Sequence, residues 1–120
     1  MRIVHFELPA DDPGRCRAFY EKTFGWTFQK WDGPMDYWTV KTGDAGPGID
    51  GGMMKRQQPG QPGTNVIAVD SVDAIARAIA ANGGSEVVPK MAVPGVGWTA
   101  YFMDTEHNMF GVIQFDPGAK

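Results

Sequence analysis

His5 and Glu7 stand two residues apart in an alternating run near the start of the chain, a spacing that sets both on one face of a β-strand. An imidazole and a carboxylate side by side have two uses. They can hydrogen-bond to each other, which satisfies two polar groups that burial would otherwise leave costly. They can instead meet a ligand together, the imidazole serving as a general base near neutral pH. Both could also reach one divalent ion, with Asn65 lending an amide oxygen. Other chemistries lack their parts. Ser71 and Ser85 are the only serines, one placed to cap a helix and one after a Gly pair, and neither has a base beside it. No Gly-rich segment carries the spacing or the trailing Lys-Ser or Lys-Thr of a phosphate loop. Cys16 is alone, which excludes an internal disulfide and a Cys-based zinc site; grouped with Phe19, Thr23 and Phe24 on one helical face, it reads as a core thiol. His107, the only other histidine, falls in a polar turn beside Asn108.

The aromatic residues extend the site. Four tryptophans are more aromatic surface than one small core needs, and an apolar pocket with a few polar groups is the usual form of a small-molecule site. Trp38, Trp98 and Tyr101, with His5, Glu7 and Asn65, are therefore the expected lining for a flat or hydrophobic organic compound.

These residues are positioned by a unit written twice. Asp12 recurs as Asp70 and Gly25 as Gly83, each pair 58 residues apart, and each Asp-to-Gly interval holds a helical pattern after a short apolar strand. In the first copy, residues 3–8 alternate with Val4, Phe6 and Leu8 on one face. Asp11 or Asp12 then offers an N-cap, Pro13 suits the first helical position, and Gly25 lies just past the end. Residues 26–31, 37–42 and 49–55 read as three more strands. The second copy has a strand at 65–69, a helix capped by Ser71 with Val72, Ile75, Ala76 and Ile79 at helical spacing, and strands at 86–93, 96–103 and 109–115. The expectation is an α+β protein of two βαβββ modules, about 1–58 and 59–120, joined at the Pro-Gly cluster 59–63 and forming a curved mixed sheet around a cup. Each helix must cover the apolar face of its sheet, which turns His5 and Glu7 toward the other face.

At 120 residues, 42% hydrophobic and 21% charged, the chain has the makeup of one globular domain. A net charge of −3 with scattered basic residues argues against nucleic acid as a partner. No stretch approaches the roughly 20 apolar residues of a membrane span. The carboxylate of Glu7 so early in the chain argues against a secretory signal, so a cytoplasmic location is expected.

The chain resembles the vicinal oxygen chelate superfamily, which includes glyoxalase I, extradiol dioxygenases and bleomycin-resistance proteins. The likeness rests on residues 5–12, on Phe19-Tyr20-Glu21-Lys22 and Phe24-Gly25-Trp26, on residues 69–73 with Gly83-Gly84, and on residues 104–111. It implies paired βαβββ modules, a homodimer, and often a divalent metal held by inward His and Glu side chains of the first and last strands of each module. Of those positions His5 matches; the others fall on Met53, on Thr64 or Asn65, and on Gly111, with Met53 and Gly111 equated by their spacing of 58. Met53 is a poor ligand for hard ions and Gly111 has no side chain, so the metal site is expected to be degenerate, with His5 and Glu7 the ligands of any ion present. The expectation is a protein binding a small hydrophobic or aromatic compound, similar in mode to bleomycin-resistance proteins. The alternative is a metal-dependent lyase, isomerase or dioxygenase of the same superfamily.

Overall fold

The computed structural model describes residues 1–120. Its elements, in chain order, are β1 (Ile3–Ala10), α1 (Pro13–Phe24), β2 (Thr27–Lys30), β3 (Tyr37–Lys41), β4 (Gly51–Lys55), β5 (Thr64–Ala68), α2 (Val72–Ala81), β6 (Ser85–Val93), β7 (Gly97–Met103) and β8 (Met109–Phe115). This is the expected βαβββ order, twice. The chain divides into two compact units, His5–Gly63 and Thr64–Lys120, the latter taking Met1–Val4 with it. A hydrogen bond from the Ala68 amide to the Arg2 carbonyl, 2.9 Å, ties those first residues to β5.

In the first unit the strands run β2-β3-β4-β1, with β1 parallel to β4 and the other pairs antiparallel. The second has β5-β8-β7-β6, with β5 parallel to β8 and the rest antiparallel. A parallel pair needs a long crossover, and here the helix with two intervening strands provides it.

Local chemistry starts and stops each helix. Asp12 caps α1, its Oδ1 accepting from the Arg15 amide at 3.0 Å, and Pro13 follows in the first turn. Gly25 closes the helix at φ 75°, a left-handed conformation that glycine adopts without penalty, and its amide bonds back to the Glu21 carbonyl. Ser71 caps α2 through the Ala74 amide at 3.1 Å. The equivalent caps are thus Asp12 and Ser71, so the structural repeat is one residue longer than the Asp12–Asp70 spacing.

Each helix packs on one face of its own sheet. In the first unit Ala10, Phe28, Val40 and Met53 form the core, with Phe6, Leu8, Cys16, Tyr20, Trp26 and Trp38 around them. In the second the core is Val69, Val72, Ala100, Phe102 and Val112, with Ile67, Ile75, Ala76, Ile79, Trp98 and Phe110. Burying one such side chain contributes roughly 1.5–3 kcal/mol. The one-residue correction to the repeat decides which face a residue occupies, because neighbouring strand residues point to opposite sides. Met53, fully buried, belongs to the helix-side core, and its counterpart is Val112. Gly111 lies on the other face, and its counterpart is Gly52. The pairing of Met53 with Gly111 inferred from sequence is therefore corrected.

Candidate functional site

On the face of the first unit turned away from α1, three side chains form a hydrogen-bonded chain. His5 Nε2 lies 2.7 Å from the Tyr37 hydroxyl, and that hydroxyl donates to Glu7 Oε2 at 3.3 Å. His5 and Glu7 come from β1 and Tyr37 from the start of β3, with β4 between them. The pair at i and i+2 thus shares a face as the alternation requires. The direct His–Glu bond allowed by the sequence is replaced by a bridge through Tyr37.

Tyr37 reaches across β4 because that strand has no side chain in its way. A Cβ at Gly52 would overlap the Tyr37 hydroxyl and ring. Gly52 is registered with Glu7 on one side and Thr39 on the other, so the space above it is open to a ring from the diagonal position. Two aromatic contacts fix the ring further. The His5 imidazole lies nearly parallel to it, with centroids 6.5 Å apart, and Trp31 meets it edge-on at 6.1 Å. The Trp31 amide also donates to the Tyr37 carbonyl at 2.8 Å.

The electrostatics follow from this setting. Burial holds the His5 pKa below the ordinary imidazole value, and the carboxylates of Glu7 and Asp50 offset that only in part. Asp50 is itself held by Thr42, whose amide donates to it at 2.9 Å. The imidazole is therefore neutral near pH 7, able to donate through one nitrogen and accept through the other.

The other expected site residues are divided between faces. Tyr101 lies on the sheet face away from α2, its ring against the position a Cβ of Gly111 would take, as Tyr37 covers Gly52 in the first unit. Trp38 and Trp98 do not share that face with the tyrosines. Each packs against the core on the helix side of its sheet and carries a lysine over its ring, Lys30 at 5.4 Å and Lys90 at 4.9 Å. Trp98 also donates its indole N–H to Asp116 at 3.0 Å. Asn65 is exposed, two residues before the core-facing Ile67 and on the same side of β5. Residues 104–108 form a turn in which Asp104 Oδ1 accepts from the amides of Glu106 and Asn108, with His107 at φ 66°. These bonds hold the Asp104 carboxyl below the usual range.

Tyr37, Gly52 and Trp31 also belong to this candidate site; the two aromatics read as strand residues from sequence, but none of the three was among the residues expected to line the site. The signal for Tyr37 was alternation within β3: with Trp38 and Val40 in the core, Tyr37 and Thr39 must face the other way.

The donor set does not fit a divalent ion. His5 Nε2 and Glu7 Oε2 are both directed at the Tyr37 hydroxyl, the facing position on β4 is glycine, and no three His, Cys, Asp or Glu side chains converge anywhere in the chain.

Comparison with known proteins gives a consistent picture. Residues 2–43 match the family model described as bleomycin resistance protein-like N-terminal. A glyoxylase-like domain-containing protein of Didymella fabae is 31% identical over 119 residues, covering 92% of this chain and 91% of that protein. Methylmalonyl-CoA epimerase from Mycobacterium tuberculosis shares the fold at a TM-score of 0.66 and 12% identity, over 96% of this chain and 88% of that one. A variant of the Streptomyces coelicolor methylmalonyl-CoA epimerase, in complex with 2-nitronate-propionyl-CoA, gives 0.67 and 15%, over 100% and 98%. At these identities the likeness to the two epimerases is evidence of the fold alone.

Proposed function

Because the chain belongs to the glyoxylase-like proteins of the vicinal oxygen chelate superfamily, we propose that it binds a small organic compound, aromatic or hydrophobic in part, without a resident metal. The ligand lies on the sheet face that carries His5, Glu7 and Tyr37. One observation carries this reading: His5, the one position where the resemblance implies a metal ligand, is bonded to Tyr37, and Tyr37 in turn to Glu7. A half-buried polar group beside aromatic rings is suited to anchoring a molecule with one polar end. Trp38 and Trp98, each under a lysine, are supports of the fold in this reading, and Trp31 meets the Tyr37 ring of the anchor edge-on.

The test is titration with a panel of flat aromatic compounds, followed by the NMR signals of His5 and Trp31. Saturable shifts are expected. Combining His5→Ala with Glu7→Gln should weaken binding by about 1–3 kcal/mol, the cost of leaving a ligand's buried polar group unmatched. Circular dichroism must show the double variant folded. A panel without binders, or a variant that binds as the parent does, would overturn the proposal. A two-fold dimer belongs to the same reading, and light scattering showing only monomer would remove it.

A further inference from the structure

We propose that Tyr37 fixes His5 in one tautomer, with the proton on Nε2, so that Nδ1 is left as an acceptor for a hydrogen-bond donor on the ligand. This deepens the small-molecule reading and rests on it for the ligand, though not for the tautomer. The argument is a count of protons. An ionised carboxylate only accepts, and a tyrosine hydroxyl has one hydrogen to give. With that hydrogen directed to Glu7 Oε2, the 2.7 Å contact between His5 Nε2 and the hydroxyl needs a proton from the imidazole. The reverse arrangement would set a hydroxyl lone pair against the carboxylate at 3.3 Å. Nδ1, the other ring nitrogen, has no hydrogen-bonding partner in the chain.

The consequence is selectivity. A site whose free polar atom is an imidazole lone pair takes a neutral donor, such as a phenol, an enol or an imide N–H. It disfavours a carboxylate, which would bring its own lone pairs against Nδ1 with Glu7 close by. Tyr37 is thus a specificity-determining residue that acts through His5, by setting which nitrogen holds the proton.

Long-range 1H–15N NMR of the whole protein reads the tautomer directly. The chain has two histidines, so the His107→Gln variant assigns the signals. The parent should show the Nε2–H form of His5, and Tyr37→Phe should convert it to a mixture. A parent in the Nδ1–H form, or a tautomer unmoved by Tyr37→Phe, would overturn the inference. The ligand arm compares 2-naphthol with 2-naphthoate, equal in ring and opposite in hydrogen-bonding role at neutral pH. Naphthol should bind at least tenfold more tightly to the parent, and the ratio should fall toward one in Tyr37→Phe. Equal or tighter binding of naphthoate by the parent would refute the selectivity. Failure of both probes to bind would count against the small-molecule reading, and the tautomer, measured without ligand, would still decide the inference.

Discussion

Gly52→Ala is the sharpest perturbation this structure offers, since it adds one carbon at the point where Tyr37 crosses β4. The added Cβ would overlap the tyrosine hydroxyl and ring, and β4 is paired on both sides, with Glu7 and Thr39, so the backbone has little room to move away. The ring must leave. Its departure breaks the bonds to His5 and Glu7, each contributing about 0.5–1.5 kcal/mol. Were the ring to stay in place instead, overpacking of the filled site would cost a similar amount, about 1–3 kcal/mol. Against these stands the gain of roughly 0.5–1 kcal/mol from replacing a strand glycine by alanine. The net expectation is a destabilisation of about 1–3 kcal/mol. For a domain of this size each kcal/mol lowers the Tm by about 4 °C. The control is the Tyr37→Ala background, where the same Gly52→Ala change has open space and should be neutral or slightly stabilising. Urea denaturation of the four proteins gives the coupling between the two positions, expected at about 1.5–3 kcal/mol. A Gly52→Ala cost that is the same in both backgrounds would refute the close approach of Tyr37.

Three further outcomes are expected. Because burial lowers the His5 pKa, the unfolded chain takes up protons first as the pH falls. Stability should therefore be level above the ordinary imidazole value of 6.5 and decline below it. His5→Gln should lose that slope, and urea midpoints that fall equally in parent and variant would contradict the assignment. Phe102→Ala, at a position 2% exposed in the core under α2, should cost about 3–5 kcal/mol by chemical denaturation, and a loss under about 1 kcal/mol would show that this core is not closely packed. Zinc, nickel, manganese or iron(II) should leave the Tm unchanged, since an ion bound only by the native state must raise it. A saturable rise that vanishes in His5→Ala would restore the metal reading.

The fold was legible because its signals are local and agree with one another. Asp12, Pro13 and Gly25 bracket α1, Ser71 opens α2, and the alternation of Phe6 and Leu8 against His5 and Glu7 assigns the faces of β1. The site was legible at one strand only. His5 and Glu7 could be paired by spacing, but Tyr37 joins them from β3, about thirty residues away in sequence, and such contacts depend on register. The same sensitivity explains Met53 and Gly111. A repeat measured between two aspartates is one residue shorter than the repeat between the helix caps, and one residue in a strand reverses the face. Trp38 and Trp98 were expected in the site on composition, but composition says nothing about face. Their alternation partners Val40 and Ala100 lie in the helix-side cores and carry them there.

The lysines over those two tryptophans have a second consequence, concerning how copies of the chain avoid one another. Lys30 and Lys90 sit on β2 and β6, the strands that end the two orders β2-β3-β4-β1 and β5-β8-β7-β6. A terminal strand offers unpaired amides and carbonyls to any passing strand, and aggregation begins there. Each lysine folds over the indole of the neighbouring inner strand and pairs with an acid, Asp36 in one case and Asp73 in the other, so a strand laid alongside would have to pair next to a fixed charge. β6 adds Pro89, which has no amide proton to give, and irregular register on either side of Val88. Edge-to-edge growth is thereby discouraged at β2 and β6.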